Sequence, residues 1–163
     1  MGQEGEKVRR DSHIYVSFEP HDGHFLGTMA IEEALDVDTD LEALLHKAAC
    51  LYEHRLQRMT SLVDQIQTFR SRRQPTRAHL IWQLGDEIFG LKDDLSDLSL
   101  QINGIYQHLV RDLKVKRKWL EKVVILRRYL PDQSLIPEAL NWGQCEKGTR
   151  RVAERLRQGT HPQ

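Results

Sequence analysis

Between Ile81 and Leu109 isoleucines and leucines recur at Ile81, Leu84, Ile88, Leu91, Leu95, Leu98, Ile102, Ile105 and Leu109, in steps that alternate three and four residues without a slip. At about 3.6 residues per turn, that alternation places one narrow apolar stripe along one side of an α-helix. Four heptads in a single phase predict a coiled-coil helix, and a stripe of this kind is stable only against a second helix. Most of what the rest of the chain can do follows from asking what fills the seam.

The partner stripe lies just upstream. Leu41, Leu45, Ala48, Tyr52, Arg55, Met59, Leu62, Ile66 and Phe69 repeat in the same four-three alternation. Thr39-Asp40-Leu41-Glu42 fits a capping box, and the acidic residues Glu32, Glu33, Asp36, Asp38 and Asp40 precede it, where a helix dipole favours negative charge. This first helix is expected to run to about Ser71, with Arg70, Arg72, Arg73, Gln74, Pro75 and Thr76 forming the connection that ends it. A connection this short predicts that the two helices lie antiparallel.

If the turn centres near Gln74, facing residues have numbers summing to about 149. Arg55 then faces Asp94, and the acidic start of the first helix faces Arg111, Lys114, Lys116 and Arg117. The second helix is expected to run from about Thr76 to Leu130, roughly 80 Å long. Asn103-Gly104 offers a rival break, but the heptad phase carries straight across it. Gly85, Gly90 and Gly104 each cost up to about 1 kcal/mol inside a helix.

The fold class expected is therefore all-α: an elongated antiparallel coiled-coil αα-hairpin over residues 39–130. A flexible N-terminal tail, 1–38, precedes it, and a short C-terminal helical segment and tail, 131–163, follow. Ala139, Leu140, Trp142, Val152, Ala153 and Leu156 give that last segment a weak apolar face, with Gly143 and Gly148 expected to interrupt it. Apolar residues are 39% and charged residues 29% of the chain, a balance that suits narrow seams between long helices.

Beyond Leu109 the stripe broadens. Leu113, Val115, Trp119, Leu120, Val123, Leu126 and Leu130 spread around the helix past the reach of the first one. Exposed apolar surface of this extent marks an interaction site, so a second chain, self or other, is expected to cover it. Within residues 13–26, Ile14, Tyr15, Val16 and Phe18 have strand character, Pro20-His21-Asp22-Gly23 reads as a turn, and Phe25 follows. Tyr15, Phe18 and Phe25 are candidate anchors of a short motif that orders against a partner.

Chemistry is sparse. No phosphate-binding glycine loop, dinucleotide fingerprint, metalloprotease helix or nucleophile elbow occurs, so no enzymatic activity and no cofactor are expected. His46, Cys50 and His54 share one helix face at i, i+4, i+8, and His13, His21 and His24 fall in the N-terminal segment. Neither set supplies the convergent ligands of a metal site, and none is expected. Lys plus Arg and Asp plus Glu number 24 each, which gives no global pull towards polyanions. The local exception is Arg111 to Arg128, where Lys118, Lys122, Arg127 and Arg128 are candidate phosphate ligands left over from the acidic strip. Two cysteines, a polar N-terminus and the lack of any apolar run of membrane-spanning length predict a cytoplasmic protein, with the nucleus also compatible. The function expected is a non-enzymatic adaptor or assembly subunit that binds other proteins through helical seams. The alternative is a basic-helix protein that binds nucleic acid or an anionic membrane surface.

Overall fold

Helix α1, Leu41–Ser71, buries Ala48, Tyr52, Met59, Val63 and Ile66 along one stripe and leaves His46, Cys50 and His54 exposed on another face. The computed structural model describes residues 14–16, 30–31 and 41–159, and these are mostly helical. The N-terminal positions Phe18, Phe25, His13, His21, His24 and the acidic run 32–40 lie outside the described residues. No described helix is long and apolar enough to cross a membrane.

α1 ends in a Schellman motif. Arg73 adopts the left-handed conformation at φ 55°, its N–H donates to Arg70 O (3.0 Å), and Gln74 N–H donates to Phe69 O (2.8 Å). The chain then reverses into α2, Ala78–Asp97, whose seam residues Ile81, Leu84, Ile88, Leu91 and Leu95 are fully buried. Arg55 crosses from α1 to bond Glu87 Oε2 at 2.8 Å and Asp94 Oδ2 at 3.0 Å, the second being the pair that the heptad register predicts. Gly90 makes room for it, since a Cβ there would lie 2.7 Å from the guanidinium carbon.

The continuous second helix does not form. α2 stops at Asp97, Ser99 turns left-handed at φ 57°, and Leu100–Ile102 forms a short strand, β3, with Leu100 and Ile102 buried and Gln101 exposed. β3 pairs in parallel with β1 (Ile14–Val16), which pairs antiparallel with β2 (Ala30–Ile31). The strand character of Ile14, Tyr15 and Val16 is thus realised against the chain's own β3. Gly104, at φ 66°, launches helix α3, Ile105–Leu113, and a residue with a side chain would be strained there.

α3 returns alongside α1, where the fully buried Tyr52 hydroxyl donates to Asp112 Oδ2 at 2.6 Å. Burial above all, with the Asp112 carboxylate beside it, pushes the Tyr52 hydroxyl far above its ordinary range, so it stays protonated as the donor. A second Schellman motif breaks the chain again. Lys114 is left-handed at φ 55°, and Val115 N–H donates to Val110 O at 3.2 Å before α4, Arg117–Tyr129, begins. All-α describes the molecule, but the elongated hairpin reaching Leu130 is replaced by helices that double back.

α4 runs antiparallel against α2. Trp82 Nε1–H donates to Leu130 O at 2.7 Å, and Arg127 Nε lies 2.9 Å from Asp86 Oδ1. Gly85 sits at the closest approach, where a Cβ would lie 2.7 Å from Arg127 Cβ and 3.0 Å from Val123 O. Gly85→Ala gains about 1 kcal/mol of helix propensity, but overpacking against a backbone oxygen and a Cβ costs about 1–3 kcal/mol. A lower midpoint of urea unfolding with an unchanged m value is expected, whereas a raised midpoint would mean that the helices are farther apart.

The other side of α4 is covered by the C-terminal segment. After a 3-10 turn, Gln133–Leu135, the chain forms α5 (Trp142–Glu146) and α6 (Thr149–Arg157). Ala78 N–H donates to Leu140 O at 2.9 Å and Trp142 N–H to Thr76 O at 2.8 Å, which ties this segment to the start of α2. Val152, Ala153 and Leu156 of α6 join the same apolar core as α4. The expectation that a second chain covers residues 113–130 is corrected accordingly. Leu113 at the end of α3 and Leu120, Val123, Leu126 and Leu130 are buried by their own chain, and α4, apolar on several sides, packs against α2 and α6 at once. Val115 and Trp119 remain half-buried.

Candidate functional site

The two helix breaks bring the C-terminal half of α1 next to the corner between α3 and α4. Between them lies a cavity of about 410 Å³. Val63, Ile66, Val115 and Trp119 supply its apolar lining, and Arg70, Lys114, Lys116, Lys118 and Lys122 its positive charge. Glu146 of α5 is the carboxylate among the lining residues, and its Oε1 lies 3.9 Å from Lys122 Nζ. Among the described residues, Arg70, Lys114, Lys116 and Lys118 are in no ion pair.

The helix start is equally positive. Lys116 is the N-cap of α4 with an extended backbone and no side-chain cap, and no acidic residue occupies the first turn. The first N–H groups of a helix have no intrahelical acceptor, and their dipole disfavours cations nearby. Lys116, Arg117 and Lys118 at this position therefore oppose local electrostatics, a conflict that a folded chain tolerates best where a ligand relieves it. Trp119 adds a buried indole N–H that has no hydrogen-bond partner. The Arg70 guanidinium stands 5.6 Å from the centre of the Trp119 ring, which joins the two walls of the groove.

The four candidate phosphate ligands do not stay together. Lys118 and Lys122 line the groove. Arg127 is held on the α2 side by Asp86 and lies over the rings of Trp82 (5.3 Å) and Phe89 (4.9 Å). Arg128 lines a separate shallow groove with Tyr106, Val124 and Ile125. Of the candidate protein-contact residues, Val115 and Trp119 line the cavity, Tyr15 lies in β1, and the leucines and Val123 are core. Arg70, Lys114 and Lys116 join the site although sequence reasoning assigned them to the connection and to the acidic strip. Lys114 and Lys116 stand beside Val63–Arg70, in the C-terminal half of α1.

No group of three His, Cys, Asp or Glu residues converges among the described residues. Cys145 is fully buried, and burial pushes its thiol up to about 11, which disfavours the thiolate a nucleophile needs. Cys50 is exposed, with its Sγ 3.8 Å from His46 Nε2. The groove sets a cluster of cations beside an aromatic and aliphatic wall. The chain matches no family model, no curated protein and no solved structure.

Proposed function

We propose that this chain is a non-enzymatic adaptor or assembly subunit that holds an acidic segment of a partner protein in the groove between α1 and the α3–α4 corner. The observation that carries this reading is the set of four cations, Arg70, Lys114, Lys116 and Lys118, without ion-pair partners around the half-buried Trp119. Amphipathic anchors of this kind, an aromatic ring with charge at its edge, dominate the energetics of protein contacts. Two copies of such a groove repel one another, which favours a different chain as the partner. The unpaired thiols of Cys50 and Cys145 suit a reducing compartment such as the cytoplasm.

The competing reading, a surface for nucleic acid or an anionic bilayer, calls for a basic stripe or plane. Lys118 with Lys122, Arg127, and Arg128 instead lie in three different settings, and the unpaired cations gather in a concavity. The test is site-specific photocrosslinking with p-benzoylphenylalanine at Gln67, which lines the groove. Crosslinks formed in cells of the native source are expected to map to an acidic segment of one protein and to vanish when Lys116→Glu and Lys118→Glu are added. Crosslinks indifferent to those reversals would remove the proposal. Retention on heparin at about 50 mM salt, falling steeply as salt rises, would replace it with the polyanion reading.

A further inference from the structure

We propose that the groove reads a phosphorylated side chain, its phosphate held between Lys114, Lys116 and Lys118 at the start of α4 and its stem packed on Trp119, Val63 and Ile66. This rests on the preceding reading of the groove as the partner contact and names the chemistry that the contact selects.

The argument is one of charge, donors and size. Lys122 is matched by Glu146, which leaves Arg70, Lys114, Lys116 and Lys118 uncompensated around one cavity. A side-chain carboxylate brings one charge and two oxygens. A phosphate monoester brings about −1.5 to −2 charges and three strong acceptor oxygens at neutral pH. The donors on hand exceed what a carboxylate can accept: three lysine ammonium groups and the uncapped first-turn N–H groups of α4. Helix N-termini of this kind bind phosphate through exposed backbone N–H groups and the helix dipole together. The cavity, about 410 Å³, takes a side chain and its headgroup and is too small for a duplex. Val63 and Ile66, both buried, and the Trp119 ring give the stem an apolar wall that a free inorganic ion would not use.

The experiment is an NMR titration of the ¹⁵N-labelled full chain with phenyl phosphate and, separately, with benzoate, which presents the same ring with a carboxylate. Saturable shifts are expected at the Lys118 and Trp119 amides and at the Trp119 indole N–H. Phenyl phosphate is expected to bind about tenfold or more tightly than benzoate, and to weaken as pH falls through about 6, where the phosphate loses its second charge. Lys116→Gln with Lys118→Gln is expected to lose about tenfold in affinity, and Arg128→Gln, in a different groove, to lose nothing. The spectrum of each variant reports its own folding, and the comparison of the two wild-type titrations does not depend on any variant. Equal affinity for benzoate and phenyl phosphate would overturn the phosphate assignment and leave the acidic-segment reading standing. Absence of saturable shifts at those three N–H groups would overturn it as well.

Discussion

Leu126→Asp is expected to abolish cooperative folding at every protein concentration. Leu126 and Val123 are fully buried in a core shared by α2, α4 and α6. Removing the leucine forfeits about 1.5–3 kcal/mol of burial. Placing an unpaired carboxylate in its position costs several kcal/mol more, about 3–5 by comparison with broken buried ion pairs. Together these approach the whole stability of an ordinary domain, about 5–15 kcal/mol. The measurement is far-UV circular dichroism through a thermal ramp, with sedimentation at two concentrations well apart. The expected result is a loss of helical signal without a sharp transition. A variant that keeps its helices and its melting transition but loses an oligomeric state would instead mean that another chain covers this face. The two outcomes separate an internal core from an interface.

What could be read from sequence depended on whether the relevant signal was periodic. The bounds of α1 and the Arg55–Asp94 pair follow from heptad spacing and charge, and both are present; of the expected stripe, Ala48, Tyr52, Met59 and Ile66 are buried, whereas Leu45, Leu62 and Phe69 are only half-buried. The long second helix failed for a reason that spacing conceals. Leu98, Ile102, Ile105 and Leu109 keep one heptad phase although α2 has already ended and Ile102 lies in a strand. The competing signal was Leu100-Gln101-Ile102, a buried-exposed-buried alternation of period two, followed by Asn103-Gly104 as a turn. The break at Lys114 had no marker at all. A left-handed C-terminal position is ordinarily glycine, and a lysine there is chemically silent. The groove shared this fate, because a straight helix carries Lys118 past the hairpin and away from Arg70. The separation of Arg127 from Lys118, however, was legible. Nine residues along a helix is about half a turn in angle, so the two point to opposite sides.

Trp82→Ala is expected to cost about 3–5 kcal/mol, the range for deleting a large buried aromatic side chain. Trp82 is 7% exposed, and its ring lies against the Arg127 guanidinium, which also pairs with Asp86 and lies over Phe89. Its indole N–H is also the donor to Leu130 O, a carbonyl at the C-terminal end of α4 that has no helical partner of its own. Trp82→Phe keeps most of the ring and loses the donor, so about 1–3 kcal/mol is expected from the stranded carbonyl. Urea unfolding should therefore rank wild type above Trp82→Phe, and Trp82→Phe above Trp82→Ala. Arg127→Met tests the same junction from the other side. If Arg127 serves the α2–α4 contact, as its geometry indicates, that variant lowers the unfolding midpoint and leaves crosslinking from Gln67 intact. The opposite pattern, stability retained and crosslinking lost, would return Arg127 to the anion-binding set and extend the site across α4. Because Lys118 and Arg127 lie on opposite sides of one helix, no single ligand seated in the groove can reach both, and the first pattern is the one the fold requires.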